Sequence, residues 1–405
     1  MFDGLAQRLQ LPDEWQRRAV EALRGGGDVI VDAPTGAGKT WVFEALAGER
    51  GGARGGQLVF SVPTRALAND KFSDWRGRGW DVGLATGDAL VNGSARVLVA
   101  TLETQRERVL RGAGPALLVV DEYQLLADPR RGSNYEMVLA LAPPATQLLL
   151  LSGSVGNPES VQAWLQGLGR TVALVRESQR PVPLDEVAVD ALPNPPRGVS
   201  GFWPRLAAGA LLAGMAPLLV FAPRRGMAER IARRIAEALP CPDPLRLPEP
   251  ARRALGRELA GLLERRVAYH HSGLDFAARC AVVEPLARHG QLRVVVATTG
   301  LAAGINFSMR TVLVAETSYQ DGPYKRELRA DELLQMFGRA GRRGLDEIGY
   351  VLTLRDGARM MDAAPLQLRR GERIEWSSLL RRMEAAAACG ESPLDAAESM
   401  AARMF

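Results

Sequence analysis

Asp28-Val29-Ile30-Val31-Asp32-Ala33-Pro34-Thr35-Gly36-Ala37-Gly38-Lys39-Thr40 sets the architecture of this chain. Its first five residues form a short apolar run of the kind that makes a buried strand. Trp41-Val42-Phe43-Glu44-Ala45-Leu46-Ala47, which follows, reads as helix. Strand, glycine-rich turn and helix, in that order, are the context of a phosphate-binding loop. Gly36 and Gly38 let the backbone curl, so that N–H groups from Thr35 through Gly38 can face phosphate oxygens. Lys39 can reach the β- and γ-phosphates of a nucleotide, and the Thr40 hydroxyl can ligate Mg²⁺.

The same alternation continues along the chain. Strand candidates at 28–32, 57–62, 97–100, 116–120 and 147–151 precede a second set at 217–221, 267–270, 293–297, 311–315 and 348–354, with helical segments between them. This pattern predicts an α/β fold of parallel sheets covered by helices on both faces. Arg180-Pro181-Val182-Pro183 and Leu192-Pro193-Asn194-Pro195-Pro196-Arg197-Gly198 separate the two sets and mark the domain boundary. We therefore expect a first domain over 1–190, a proline-rich linker over 191–205, a second domain over 206–355 and a helical C-terminal segment over 356–405.

A chain of 405 residues has room for two or three hydrophobic cores. No apolar run approaches the ~20 residues that span a bilayer. Met1-Phe2-Asp3-Gly4 has no basic region leading into an apolar one, so a cytoplasmic location is expected. Net charge is +5 and the isoelectric point about 9.4, which suits a polyanionic partner. Lys39, Lys71 and Lys325 are the only lysines. The remaining cations are arginines, as codon bias in a GC-rich genome produces and as bidentate phosphate recognition exploits. Lys39 stands where the chemistry requires a lysine. Cys241, Cys280 and Cys389 have no zinc-finger spacing.

A phosphate-binding loop alone leaves kinases, transporters and GTPases open. Ala116-Leu117-Leu118-Val119-Val120 runs into Asp121-Glu122-Tyr123-Gln124, a buried strand ending in two carboxylates. Asp121 can hold Mg²⁺, and Glu122 can orient and deprotonate an attacking water. Taken alone, the pair also reads as a surface acidic pair at a strand end. In the far half, Gln335-Met336-Phe337-Gly338-Arg339-Ala340-Gly341-Arg342 has the spacing QxxGRxxR. Helical spacing would bring Gln335, Arg339 and Arg342 together, and two such arginines can stabilise a γ-phosphate in the transition state. A solvated basic helix is the plainer reading, but Gly338 and Gly341 would each cost it ~1 kcal/mol without gain.

With these motifs in order, the chain resembles the superfamily-two DExH helicases of the superkiller type, nucleic-acid motors with two RecA-like domains. The loop form AxxGxGKT is typical of that superfamily, and the resemblance covers roughly residues 10–355. It implies that ATP and Mg²⁺ are used and that ATP is held between the domains. Gln16 resembles the family's adenine-reading glutamine. Thr64 and Arg65 fall in motif Ia, Thr86, Gly87 and Asp88 in motif Ib, and Thr101 in motif Ic, where the family grips the sugar–phosphate backbone. Ser152 and Ser154 fall in motif III, which couples hydrolysis to strand movement. Arg224 lies in motif IV and His271 in the HHSG element, both implied to meet nucleic acid. In motif V, Thr298 would touch nucleic acid, while Gly304 and Asn306 would approach the nucleotide. Relatives of this type move 3′ to 5′.

The physical logic agrees with the resemblance. Small hydroxyls at strand ends can bond phosphate without reading a base, which predicts sequence-independent and salt-sensitive binding. Each threonine taken singly also reads as a helix N-cap. The histidine pair 270–271 lacks metal-ligand spacing and reads as packed or hydrogen-bonded. Trp15 reads as an adenine platform or as local packing.

Two departures stand out. Gln124 replaces the usual histidine, predicting retained but retuned coupling between the nucleotide and nucleic-acid sites. Ser152-Gly153-Ser154 replaces Ser-Ala-Thr, where Gly153 is expected only to add backbone freedom. The expected partners are single-stranded or tailed duplex nucleic acid, DNA or RNA, with no membrane. Relatives usually continue into winged-helix and ratchet domains. The chain is therefore expected to be a shortened helicase or a minimal motor that works with a partner subunit or nuclease. The rival expectation is a nucleic-acid-stimulated ATPase that clamps RNA–protein complexes without unwinding.

Overall fold

Eight strands make the first sheet: β1 (Asp28–Asp32), β2 (Leu58–Ser61), β3 (Val82–Ala85), β4 (Leu90–Val91), β5 (Val97–Ala100), β6 (Leu117–Asp121), β7 (Gln147–Ser152) and β8 (Val172–Arg176). Their order is β4-β3-β5-β2-β6-β7-β1-β8. Every pairing is parallel except β3 with β4. Val, Ile and Leu dominate β1, β6 and β7, as strands covered on both faces require. The computed structural model from which this is taken describes residues 12–48, 55–301, 307–321, 324–369 and 375–404.

Parallel strands collect their carboxyl ends at one edge, where α/β folds place their ligands. In this sheet the loops after β1, β2, β3, β5, β6 and β7 carry the phosphate-binding loop, the three predicted grip motifs, Asp121-Glu122 and Ser152-Gly153-Ser154. Behind the edge, Phe43, Phe60 and Trp75 pack with ring centroids 5.0–5.3 Å apart, and Trp80 stacks on Trp75. Trp15 is buried on the helix Glu14–Arg24.

The second sheet contains β9 (Leu184–Ala188), β10 (Leu218–Ala222), β11 (Val267–His270), β12 (Val294–Thr298), β13 (Thr311–Val314) and β16 (Gly349–Thr353). Their order is β11-β12-β10-β13-β16-β9, all parallel. Strands β14 (Ser318–Asp321) and β15 (Tyr324–Glu327) form a separate antiparallel hairpin.

The chain divides into two units, one of Met1–Pro34, Gly38–Gln179 and Leu366–Phe405, the other of Thr35–Ala37 and Arg180–Pro365. This corrects the expected boundaries in two places. The break falls after Gln179, not at 190, because Leu184–Ala188 pairs with β16 as an edge strand. Its acidic Leu-Asp-Glu-Val-Ala sequence hides the strand, as edge strands often do. The expected C-terminal segment is also divided, since residues from Leu366 onward return to the first unit. Leu366 N donates to Ser154 O at 2.7 Å, and Gly156 N donates to Leu366 O at 2.8 Å. Met400 is buried against the first unit's core, and Trp164 Nε1 donates to Arg403 O at 2.8 Å. Among the described residues, no helix is long and apolar enough to cross a membrane.

Candidate nucleotide and nucleic-acid sites

Gly36 and Gly38 take φ of +83° and +88°, the left-handed turns that a phosphate-binding loop needs and that a side chain would strain. Lys39 Nζ donates to Ala33 O at 2.8 Å and Pro34 O at 3.2 Å, bringing the ammonium across the loop. Thr40 opens the helix Thr40–Gly48. Gln16 is buried; its Nε2 donates to Gly38 O at 3.0 Å and its Oε1 accepts from Asp13 N at 2.9 Å. Its amide therefore braces the loop against the preceding helix.

Asp121 ends β6. Burial and the neighbouring Glu122 charge push its carboxyl up to about 7, while Lys39 and Lys71 pull it down. The Asp121 carboxylate and the Thr40 hydroxyl are oxygen donors of the kind a hard divalent cation takes, and such a cation would hold Asp121 ionised against the burial that raises its pKa. Glu122 adopts φ 57° and ψ 53°, a left-handed conformation that few residues with side chains take. Such backbone strain concentrates at functional sites.

From Glu122 a hydrogen-bond chain runs to the loop after β7. Gln124 Nε2 donates to Glu122 Oε2 at 2.6 Å, and Ser152 Oγ donates to Gln124 Oε1 at 2.7 Å. Ser154 N donates in turn to Ser152 Oγ at 3.1 Å. The expectation for Gly153 needs correction. A Cβ there would lie 2.1 Å from Ala33 O, so glycine is required for the loop to pack against the root of the phosphate-binding loop.

The predicted grip loops are cross-linked. Arg65 Nη1 bonds Asp88 Oδ2 at 3.1 Å, and Thr86 Oγ1 donates to Asp88 Oδ1 at 2.7 Å, which joins motif Ia to Ib. Thr64 Oγ1 accepts from Leu67 N at 3.3 Å, so this hydroxyl is also the N-cap of the helix Arg65–Gly77. Thr86 and Thr101 are buried and Arg65 is exposed, leaving Arg65 as the projecting cation of the group.

The second unit departs from expectation. The helix Ala330–Phe337 contains Gln335 but ends at Gly338, so Arg339 and Arg342 leave it instead of sharing its face. Gly341 turns the chain with φ +80°, and a Cβ there would meet Val182 Cγ1 at 2.6 Å. Arg342 is held by a two-pronged pair with Asp346, Nε–Oδ2 and Nη2–Oδ1 each at 2.8 Å. Arg180 Nη2 donates to Ala340 O at 3.1 Å, fastening the turn from the start of the unit. His271 is buried, with Nε2 on Glu229 Oε1 at 2.9 Å and Nδ1 accepting from Gly273 N at 3.1 Å. Both ring nitrogens are engaged within the unit. Burial lowers its pKa against the pull of Glu229. Arg224 is exposed at the start of the helix Arg225–Ala238, and Thr298 is buried at the end of β12. Gly304 and Asn306 lie outside the described residues.

Several residues at these sites escaped the sequence reading. Lys71 lies half-buried, its Nζ 5.5 Å from the Trp75 ring centroid. Burial lowers its pKa, while Glu44 and Asp121 oppose that. Its signal was present in the sequence: it is one of three lysines in a chain whose other basic side chains are nearly all arginine. Asp346 and Glu229 carry no comparable sequence signal.

The DEAD/DEAH box helicase family matches residues 13–161, and the helicase conserved C-terminal domain matches residues 251–344. The chain is 33% identical to the probable helicase HelY of Mycobacterium tuberculosis, over 84% of this chain and 45% of that protein. It is 35% identical to the ATP-dependent DNA helicase Hel308 of Pyrobaculum calidifontis, over 82% of this chain and 51% of that protein. Superkiller complex protein 2 of Homo sapiens is 28% identical, over 91% of this chain and 36% of that protein. The chain thus spans about half the length, or less, of these relatives.

Proposed function

The chain belongs to the superfamily-two DExH-box helicases, and we propose that it is an ATP-dependent motor that moves 3′ to 5′ along single-stranded DNA or RNA. The observation that carries this reading is the hydrogen-bond chain from Glu122 through Gln124 to Ser152 and Ser154. It ties the hydrolytic carboxylate to a loop on the same sheet edge as the grip motifs.

Within this reading, Lys39 and the turned backbone of Gly36 and Gly38 hold the β- and γ-phosphates of ATP. Thr40 and Asp121 hold Mg²⁺, which when bound supplies charge stabilisation to the phosphoryl oxygens. Glu122 orients water and accepts its proton. Gln124 reports the state of Glu122 to Ser152. Arg65 and Arg224 grip the backbone phosphates, which gives binding without base preference and with strong salt dependence.

Strand displacement tests the proposal. A duplex with a 3′ single-stranded tail should open in the presence of ATP and Mg²⁺, a 5′-tailed duplex should not, and Glu122→Gln should open neither. A 3′-tailed duplex that stays paired while ATP is consumed would replace the motor with a clamp.

A further inference from the structure

Arg131 stands just before the helix Gly132–Leu141, and its guanidinium reaches three partners. Nη1 donates to Pro63 O at 2.5 Å, Nε to Glu103 Oε1 at 2.7 Å and Nη2 to Tyr135 Oη at 3.2 Å. Pro63 leads into Thr64 and Arg65, and Glu103 follows Thr101, so the first two bonds join motif Ia to motif Ic. The backbone that carries Arg131 is itself fixed. Asp128 Oδ1 accepts from Arg130 N at 2.8 Å and Arg131 N at 2.9 Å, and Asp128 O accepts from Gly132 N at 2.8 Å. A Cβ on Gly132 would lie 2.2 Å from Leu126 O, so the turn admits no larger residue.

A planar guanidinium offers donors in fixed divergent directions and can hold two acceptors at a set spacing; an ammonium on a flexible stem does not. Two of those directions point at the two grip loops. The arrangement is also electrostatically odd. Glu103, with its side chain 41% exposed, places a negative charge beside loops that would receive phosphate.

We propose that Arg131 is a positioning residue that, through Glu103 and the Pro63 carbonyl, fixes the spacing of the motif Ia and Ic loops for the sugar–phosphate backbone. This rests on the nucleic-acid reading above. The guanidinium acts on the loops and does not itself read the strand.

The account is tested by Glu103→Gln, Arg131→Lys and the double variant in the full chain. Binding is followed by fluorescence anisotropy with labelled oligodeoxythymidine and oligouridine, together with ATPase titrations against the same polymers. Electrostatics alone predicts that removing the Glu103 charge tightens binding. The positioning account predicts the opposite: each single variant weakens binding roughly tenfold, the scale of one charge-assisted hydrogen bond. The double variant should then be no weaker than Arg131→Lys alone, because both changes break the same link. The half-saturating polymer concentration should rise by the same factor, whereas general destabilisation would lower the rate at saturation instead. Unchanged or tighter binding by Glu103→Gln, or additive losses in the double variant, overturns the inference. A wild-type chain that binds neither polymer fails the proposed function instead.

Discussion

The Gln124 side-chain amide donates to the Glu122 carboxylate at 2.6 Å, while its oxygen accepts from Ser152 Oγ at 2.7 Å. One amide has a donor end and an acceptor end, and both are used. A protonated histidine at this position would have donors only, whereas the glutamine amide keeps one donor end and one acceptor end whatever the pH. Gln124→Ala should cut both ends. We expect nucleic-acid stimulation of ATP hydrolysis to fall by about tenfold, from loss of one charge-assisted bond and of Glu122 orientation. ATPase titrations with a single-stranded polymer check this, and unchanged stimulation would show that the link carries no signal.

Arg342 and Asp346 form a second testable pair. The Asp346 side chain is 2% exposed and that of Arg342 18%. Burial alone would raise the Asp346 pKa, but the Arg342 fork and backbone N–H hold it below the ordinary value. A carboxylate depressed in this way contributes stability that is present at neutral pH and is lost as pH falls through its folded pKa. Arg342→Ala removes the fork and leaves Asp346 with the backbone N–H of residue 342 and the more distant Arg310 Nε at 3.9 Å, at a cost of about 1–3 kcal/mol. Asp346→Asn should cost less and should flatten the acid side of the stability profile. Chemical denaturation from pH 7 downward measures both. An Arg342→Ala variant with wild-type stability would show that the pair does not anchor the loop.

Gly153 gives a steric prediction. Gly153→Ala drives a methyl into Ala33 O, and overpacking of this kind costs about 1–3 kcal/mol. Because Ala33 is the root of the phosphate-binding loop, affinity for a fluorescent ATP analogue should fall with the melting temperature. Unchanged values for both would mean that the backbone yields freely.

Much of the fold was legible because parallel strands buried on both faces announce themselves as apolar runs. Each of the ten strand candidates lies within one residue of an observed strand at either end. Most of the strands that escaped lack such a run, although Val172–Arg176 has a short one and escaped as the edge strand β8. Val82-Gly83-Leu84-Ala85 is interrupted by a glycine, and a Cβ there would lie 2.1 Å from Asn92 O. Leu184–Ala188 is an acidic edge strand, and β14 and β15 form a polar hairpin. At the site, local spacing was enough to place Lys39 before a helix and Asp121, Glu122 and Gln124 at the end of a buried strand. Residues whose role depends on the path of the chain were not legible. Asp346 lies only four residues beyond Arg342, but the expected helix hid their buried fork, and nothing near Arg131 shows that it reaches Pro63. The helix expected through Arg342 ends at Gly338, and Gly341, at φ +80° against Val182, turns the chain away.

The central claim is that one sheet edge joins ATP hydrolysis to a nucleic-acid grip. Steady-state ATPase activity tests it most directly, measured alone, with single-stranded DNA and with single-stranded RNA, with Glu122→Gln as the blank. The account predicts a rate that at least one polymer raises severalfold, that salt suppresses, and that vanishes in the blank. A rate identical with and without both polymers would contradict it.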